Sequence, residues 1–205
     1  MGWYTWLDSG YVSVGDRYGN LLVIAREEEN TQKGVARWRC VCDCQMFCVV
    51  QTHLLMEGTK TSCGCGGKKV IPRIEHSDIF FRGGGRFTEV YIGYKLPTLN
   101  TAIATAKKHP VAYSVFKRDW SNLCAAHFVR SRKAKSAITV DLVYIEPLDS
   151  RRDEDNVTHS QKYILDGLVT AGVIVDDKRK YIRKISTEFT DSGKAYGVVV
   201  TLREV

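Results

Sequence analysis

Six of the seven cysteines of this chain fall between Cys40 and Cys65, as Cys40-x-Cys42-x-Cys44, then Cys48, then Cys63-Gly64-Cys65. Cysteine pairs on two separate turns can supply four thiolates at tetrahedral angles, the set that structural zinc prefers. Gly64 lets the backbone turn tightly around an ion. The odd count and the clustering argue for a metal rather than a disulfide framework. Cys40 shares a strand face with Cys42 and Cys44 if the segment is extended. Cys48 is expected to pack or stay free. Cys124, among apolar residues of a predicted helix, is expected in a core.

A second group lies far downstream: Arg151-Arg152-Asp153-Glu154-Asp155-Asn156, then Lys162, then Ile174-Val175-Asp176-Asp177. With Asp153 and Asp155 at the end of a strand, period-two geometry points both to one side. Asp177 follows the next helix and can return to the same place. Three convergent carboxylates offer the oxygen ligands that one or two Mg²⁺ ions take. Such ions activate water and stabilise the leaving oxygen in phosphodiester hydrolysis. Arg151 and Arg152 beside them suit phosphate. The plainer reading is that Asp155 or Asn156 caps a helix and Asp176-Asp177 forms a turn.

The elements that must position these groups fall into two sets. Leu21 to Ala25 and Ala36 to Cys42 read as strands joined by a polar connection from Asn30 to Gly34. A helical turn is expected from His53 to Met56, stopped by Gly58. A connector follows at residues 68–86, punctuated by Pro72 and Gly83-Gly84-Gly85, which reads as a hinge, with Ile79-Phe80-Phe81 as a possible short strand. Downstream, Glu89 to Lys95 reads as a strand. A helix opens at Pro110 and runs to about Arg130. Ala137 to Glu146 alternates apolar and polar residues, as a strand does. Val157 to Ala171 reads as one helix with Gly172 just past its end. Tyr181 to Phe189 and Tyr196 to Leu202 complete the strands. Short strands followed by alternating strands and helices predict a small β-rich module, residues 1–67, ahead of a mixed α/β (α+β) domain, residues 87–205.

Bulk properties bound the function. The chain has 205 residues, 44% hydrophobic, enough for packed cores. No apolar run approaches the roughly 20 residues that span a bilayer. The opening MGWYTWLDSG lacks the basic and apolar regions of a signal peptide, so a cytoplasmic location without a membrane partner is expected. The formal net charge is +7. A basic balance favours phosphate-rich partners, because each neutralised phosphate releases condensed counterions.

Two resemblances sharpen these readings. The stretch VGDRYGNLLVI, ARWRCVCDC and LLMEGTKTSCGCG resembles a small cysteine-rich module common in phage-encoded proteins. Ser62-Cys63-Gly64-Cys65 matches its closing motif, whereas Gln45 replaces the glycine usual after the first cluster. The resemblance implies Cys42, Cys44, Cys63 and Cys65 as zinc ligands; Cys40 is the substitute, because strand alternation puts it on the face of Cys42 and Cys44. The run RRDEDNVTHSQKYILDGLVTAGVIVDD resembles the signature of RusA-family Holliday-junction resolvases: Asp-x-Asp-Asn, a lysine on the following helix, Leu-Asp-Gly-Leu and a closing Asp-Asp. It is most similar to the branch with a longer spacing before the lysine. Leu99-Asn100 after Pro97 and the helix from Pro110 are also similar to the start of that family.

The second resemblance covers roughly residues 87–205. It implies a homodimeric endodeoxyribonuclease that depends on Mg²⁺ or Mn²⁺ and acts on four-way DNA junctions. Asp153, Asp155 and Asp177 would be its metal ligands and Lys162 its catalytic or phosphate-contacting lysine. The compact members' shorter spacing puts His159 in the lysine's place instead; the flanking QKYILDGL favours Lys162. DNA contacts are expected from Arg151, Arg152, Asn156, Lys107, Lys108 and Lys117, with Arg118, Arg130, Arg132, Lys133 and Lys135 as further basic residues around the Pro110 helix. The alternatives are a nuclease for other branched or flap DNA, and a DNA-binding protein whose nuclease fold is degenerate.

Overall fold

The computed structural model describes residues 11–32, 34–66, 81–84 and 87–205. The N-terminal decapeptide and residues 67–80 and 85–86, which hold most of the expected connector, lie outside the described residues. The chain divides into two compact units, Met1–Val70 and Ile71–Val205.

The first unit is an antiparallel sheet of β1 (Arg17–Tyr18), β2 (Leu21–Arg26), β3 (Arg37–Cys42) and β4 (Phe47–Gln51), in that order, followed by the short helix α1 (Thr52–Met56). Leu21, Val23, Cys40, Cys42, Val50 and Leu55 are buried in one cluster. β4 escapes a pattern search because Phe47-Cys48-Val49-Val50 carries no polar alternation. The Trp38 indole donates to Thr52 Oγ1 (3.0 Å), which donates to the Ala36 carbonyl (3.0 Å), tying α1 to the start of β3. Gly58, at φ +68°, ends the helical turn.

The second unit is a mixed sheet of β5 (Phe81–Gly84), β6 (Phe87–Ile92), β7 (Ile138–Glu146), β8 (Ile182–Asp191) and β9 (Gly197–Glu204), in the order β5-β6-β9-β7-β8. β7 and β8 are parallel; the other pairs are antiparallel. The parallel pair needs a crossover, and α4 (Glu154–Thr158) with α5 (Gln161–Thr170) provides it. Two further helices, α2 (Leu99–Lys108) and α3 (Pro110–Phe128), lie between β6 and β7 in the chain. Val140, Leu142 and Tyr144 of β7, Val198 and Val200 of β9, and Leu123, Phe128, Ile164 and Leu168 of the helices are buried. α3 and α5 approach closely at Gly167. A Cβ there would fall 2.7 Å from Cys124 Cβ and 3.0 Å from the Ala125 amide nitrogen. Cys124 is accordingly a core residue, fully buried.

Four expectations differ from what is observed. The expected single helix from Val157 is two, because Ser160 N donates to Val157 O and Lys162 N to His159 O, three residues back, which tightens the chain into a turn. The Ser160 hydroxyl donates to the buried Tyr144 hydroxyl (3.1 Å) rather than capping α5. Asp153 and Asp155 do not end a strand: β7 stops at Glu146, ahead of Pro147, and the two aspartates stand at the start of α4. α2 is additional; the Thr101 amide donates to Thr98 Oγ1 (3.3 Å), an N-cap that the sequence carries. Gly83 and Gly84 are no hinge but part of β5, paired with Thr88 and Phe87 of β6. No helix among the described residues is long and apolar enough to cross a membrane.

Candidate functional site

The first unit brings four sulfurs together. Cys42 ends β3, and Cys44 sits in the turn to β4, closed by Gln45 N donating to Cys42 O (2.7 Å) and Cys42 N to Met46 O (3.0 Å). Cys63 and Cys65 lie in the turn after α1, where Gly64 and Gly66 adopt φ +103° and +63°. The Sγ atoms of Cys42, Cys44, Cys63 and Cys65 all lie within 4.8 Å of one another. Cys44 and Cys63 are 3.3 Å apart, and Cys42 and Cys65 3.9 Å. A tetrahedron with Zn–S bonds of about 2.3 Å has S···S edges of about 3.8 Å, so this arrangement can hold a zinc ion. Burial, then the neighbouring thiols, pushes the Cys44 thiol up to about 12. Cys63 is raised too, by burial first.

Cys40 is buried outside this group, opposite Cys48 across the β3–β4 ladder, and its thiol rises to about 12 through burial. The β1–β2 turn joins the two knuckles: Asn20 N donates to Thr61 O (2.8 Å), and Asp43 N donates to Asn20 O (2.9 Å). Arg17 adds two bonds to Asp43 Oδ1 (3.0 and 3.2 Å). Gly19 is required in this turn, since a Cβ there would meet Thr61 Cβ at 2.7 Å. Gln45 holds φ +67°, the left-handed conformation that glycine adopts freely.

In the second unit, Asp155, Thr158, His159, Gln161, Lys162, Leu165, Asp177 and Leu99 line one open groove. Asp177, from the segment after α5, lines the same groove as Asp155 of α4. Both candidates for the lysine position, His159 and Lys162, face the same groove. Asp153 is exposed at the N-cap position of α4 and makes no capping bond; it is linked to Asp155 through Asn156 Nδ2, which donates to an oxygen of each (3.4 Å). Placed before and in the first turn, both carboxylates are favoured by the helix dipole. Among the described residues no trio of carboxylates reaches the 4.8 Å spacing of the cysteines. Three anions held closer repel unless a cation lies between them. Exposed oxygen donors are the type that a hard divalent ion takes.

The basic residues divide. Arg151 is exposed, whereas Arg152 is turned inward. Its guanidinium meets Glu146 Oε1 at 2.7 Å and also donates to the Leu96 carbonyl. Both side chains of this pair are nearly buried, 12% and 13% exposed. Burial raises the Glu146 carboxyl and lowers Arg152. Arg152 thus fastens the segment after β7 to the segment ahead of α2, and of the two arginines only Arg151 is exposed. Lys107 and Lys108 are exposed in the last turn of α2, where cations are favoured in any case. Lys117 of α3 lines a second groove with Arg118, Ser121, Asp176 and Asp177. The two grooves share Asp177 and are both bordered by α5.

The sequence reading missed Asp166. It lies 3.4 Å from Lys162 Nζ, 3.1 Å from Lys117 Nζ and 3.5 Å from Ser121 Oγ. Its place in Leu-Asp-Gly-Leu, one turn after Lys162, was the available signal. The chain matches no family model and no curated protein.

Proposed function

We propose that the C-terminal unit is a divalent-metal-dependent endonuclease for branched DNA, four-way junctions foremost, and that the N-terminal unit is a structural zinc module. The observation that carries the reading is the shared groove of Asp155, Asp177 and Lys162, drawn from three separate segments of the RusA-like signature. Asp153, Asp155 and Asp177 would hold Mg²⁺ or Mn²⁺. Such an ion, when bound, polarises the phosphodiester and lowers the pKa of an attacking water. The chain's own residues then have distinct tasks. The aspartates supply hard anionic ligands. Lys162 offers a cation to charge developing on the phosphate. Asp166 orients that lysine. Arg151 and Lys117 neutralise flanking phosphates, and Asn156 fixes the relative position of Asp153 and Asp155. A twofold dimer would present two such grooves to opposed strands.

That no three carboxylates among the described residues lie within 4.8 Å of one another favours a second reading, a binding protein with a degenerate site. Synthetic four-way, three-way, flap and linear DNA, each incubated with Mg²⁺, separates the two. Symmetric nicks in the four-way substrate support a resolvase. Cleavage confined to flaps redirects the substrate class. Tight binding without cleavage of any substrate supports the second reading.

A further inference from the structure

The basic charge of this chain is unevenly placed. The first unit, residues 1–70, has eight lysines and arginines against seven acids; residues 71–205 have 22 against 16. Within the second unit two segments distant in sequence are tied together at one end of the sheet. Ala134 N donates to Val173 O (2.8 Å), and Ile138 N donates to Tyr181 O (2.8 Å). The first segment carries Arg132, Lys133 and Lys135, and the second Lys178, Arg179, Lys180, Arg183 and Lys184; all eight are exposed.

Local geometry keeps these cations outward. β8 is an edge strand, and its register with β7 passes from Ile138↔Ile182 to Thr139↔Lys184, leaving Arg183 as a bulged residue. A bulge breaks the alternation that would turn one of two neighbours inward. Arg183 and Lys184 are therefore both exposed. Three acids border the set: Asp176 pairs with Lys178 (2.7 Å), Glu204 accepts from the Lys135 amide (2.8 Å), and Asp177 stands exposed next to Lys178. Eight cations against three acids leave an excess of five, most of the excess of six that the whole second unit carries. Apart from Arg132, which borders a small hollow with Glu204, the cations stand on turns and a strand edge, so they suit an extended polyanion better than a small anion.

We infer that this end of the second unit is a docking surface for the phosphate backbone of duplex DNA. The identification of the polyanion as DNA rests on the proposed function. The surface joins the groove through the chain itself, because Asp177 is followed directly by Lys178. A duplex arm lying on it would leave a strand running towards Asp177. Arg132, Lys133 and Lys135 were among the basic residues expected around the Pro110 helix, whereas the run from Lys178 to Lys184 was not; the structure joins the two sets on one surface.

The test is equilibrium binding of the full-length protein to a labelled linear duplex over a range of salt, without added Mg²⁺. Two triple variants are compared with the wild type: Arg132→Gln/Lys133→Gln/Lys135→Gln and Lys178→Gln/Arg179→Gln/Lys180→Gln. Exposed glutamines should leave thermal melting unchanged. Each lost phosphate contact should lower the slope of log K against log salt by about 0.9, hence by two to three for each triple. Unchanged slopes in both triples, or no duplex binding by the wild type, overturn the inference. Cleavage is scored separately with Mg²⁺. Lowered slopes in a protein that never cleaves would leave this surface standing and remove the nuclease reading.

Discussion

The carboxylate of Asp166 lies 3.4 Å from the ammonium of Lys162, one turn earlier on α5. Lys117 of α3 reaches the same carboxylate at 3.1 Å. All three side chains are partly exposed, so the pairs add at most about 1 kcal/mol of stability. Their geometric effect is larger, since Asp166 fixes where Lys162 points. Asp166→Asn should leave thermal melting nearly unchanged and slow single-turnover cleavage about tenfold or more. Asp166→Glu should recover part of the rate. An Asp166→Asn protein that cleaves like the wild type removes the positioning role.

Arg151 and Arg152 are neighbours with opposite surroundings. Arg152→Ala removes the nearest counter-charge of the nearly buried Glu146, leaving only the weaker influence of Lys95, and should cost about 3 kcal/mol in denaturant unfolding. Arg151→Ala should leave unfolding unchanged and weaken DNA binding. Equal stability of the two variants would contradict the inward placement of Arg152.

Gln45 is the one non-glycine residue with positive φ among the described residues. A non-glycine residue in the left-handed region costs about 1 kcal/mol, and Gln45 Nε2 is buried without a hydrogen-bond partner. Gln45→Gly should therefore stabilise the first unit by about 1 kcal/mol. Thermal melting of the zinc-loaded protein checks this; a lower melting temperature would mean that the glutamine side chain contributes packing that outweighs its strain.

Zinc binding requires thiolates, and burial holds Cys44 and Cys63 above the ordinary thiol range. Binding must therefore release protons, and affinity must fall as pH falls. Competition with a chromophoric chelator should show apparent zinc affinity declining steadily from pH 8 to pH 6. Cys63→Ser should bind zinc far more weakly, and Cys48→Ser should bind like the wild type. A pH-independent affinity, or full zinc retention by Cys63→Ser, would contradict the four-thiolate site.

The cysteine group was legible because Cys-x-Cys and Cys-Gly-Cys place ligands through local turns alone. The β7 strand and the Pro110 helix were legible for the same reason: alternation and a first-turn proline are local signals. What escaped depended on tertiary contacts. The break at His159 and Ser160 follows from a buried hydroxyl pair with Tyr144, sixteen residues away. The inward turn of Arg152 depends on Glu146 and Leu96, which no spacing rule connects to it. Gly83 and Gly84 read as chain breakers until β6 supplies a partner.

Single-turnover cleavage of a synthetic four-way junction with Mg²⁺, by the wild type and by Asp155→Asn, beside a binding assay, tests the proposed nuclease site most directly. Asparagine keeps the size of the ligand and removes its charge. The wild type should cut opposed strands. Asp155→Asn should bind the junction at least as tightly, because repulsion of phosphate is relieved, and should cut at least a hundredfold more slowly, on the order of the loss expected when a group that stabilises transition-state charge is removed. Cleavage by Asp155→Asn at the wild-type rate would contradict the assignment of this groove as a nuclease site.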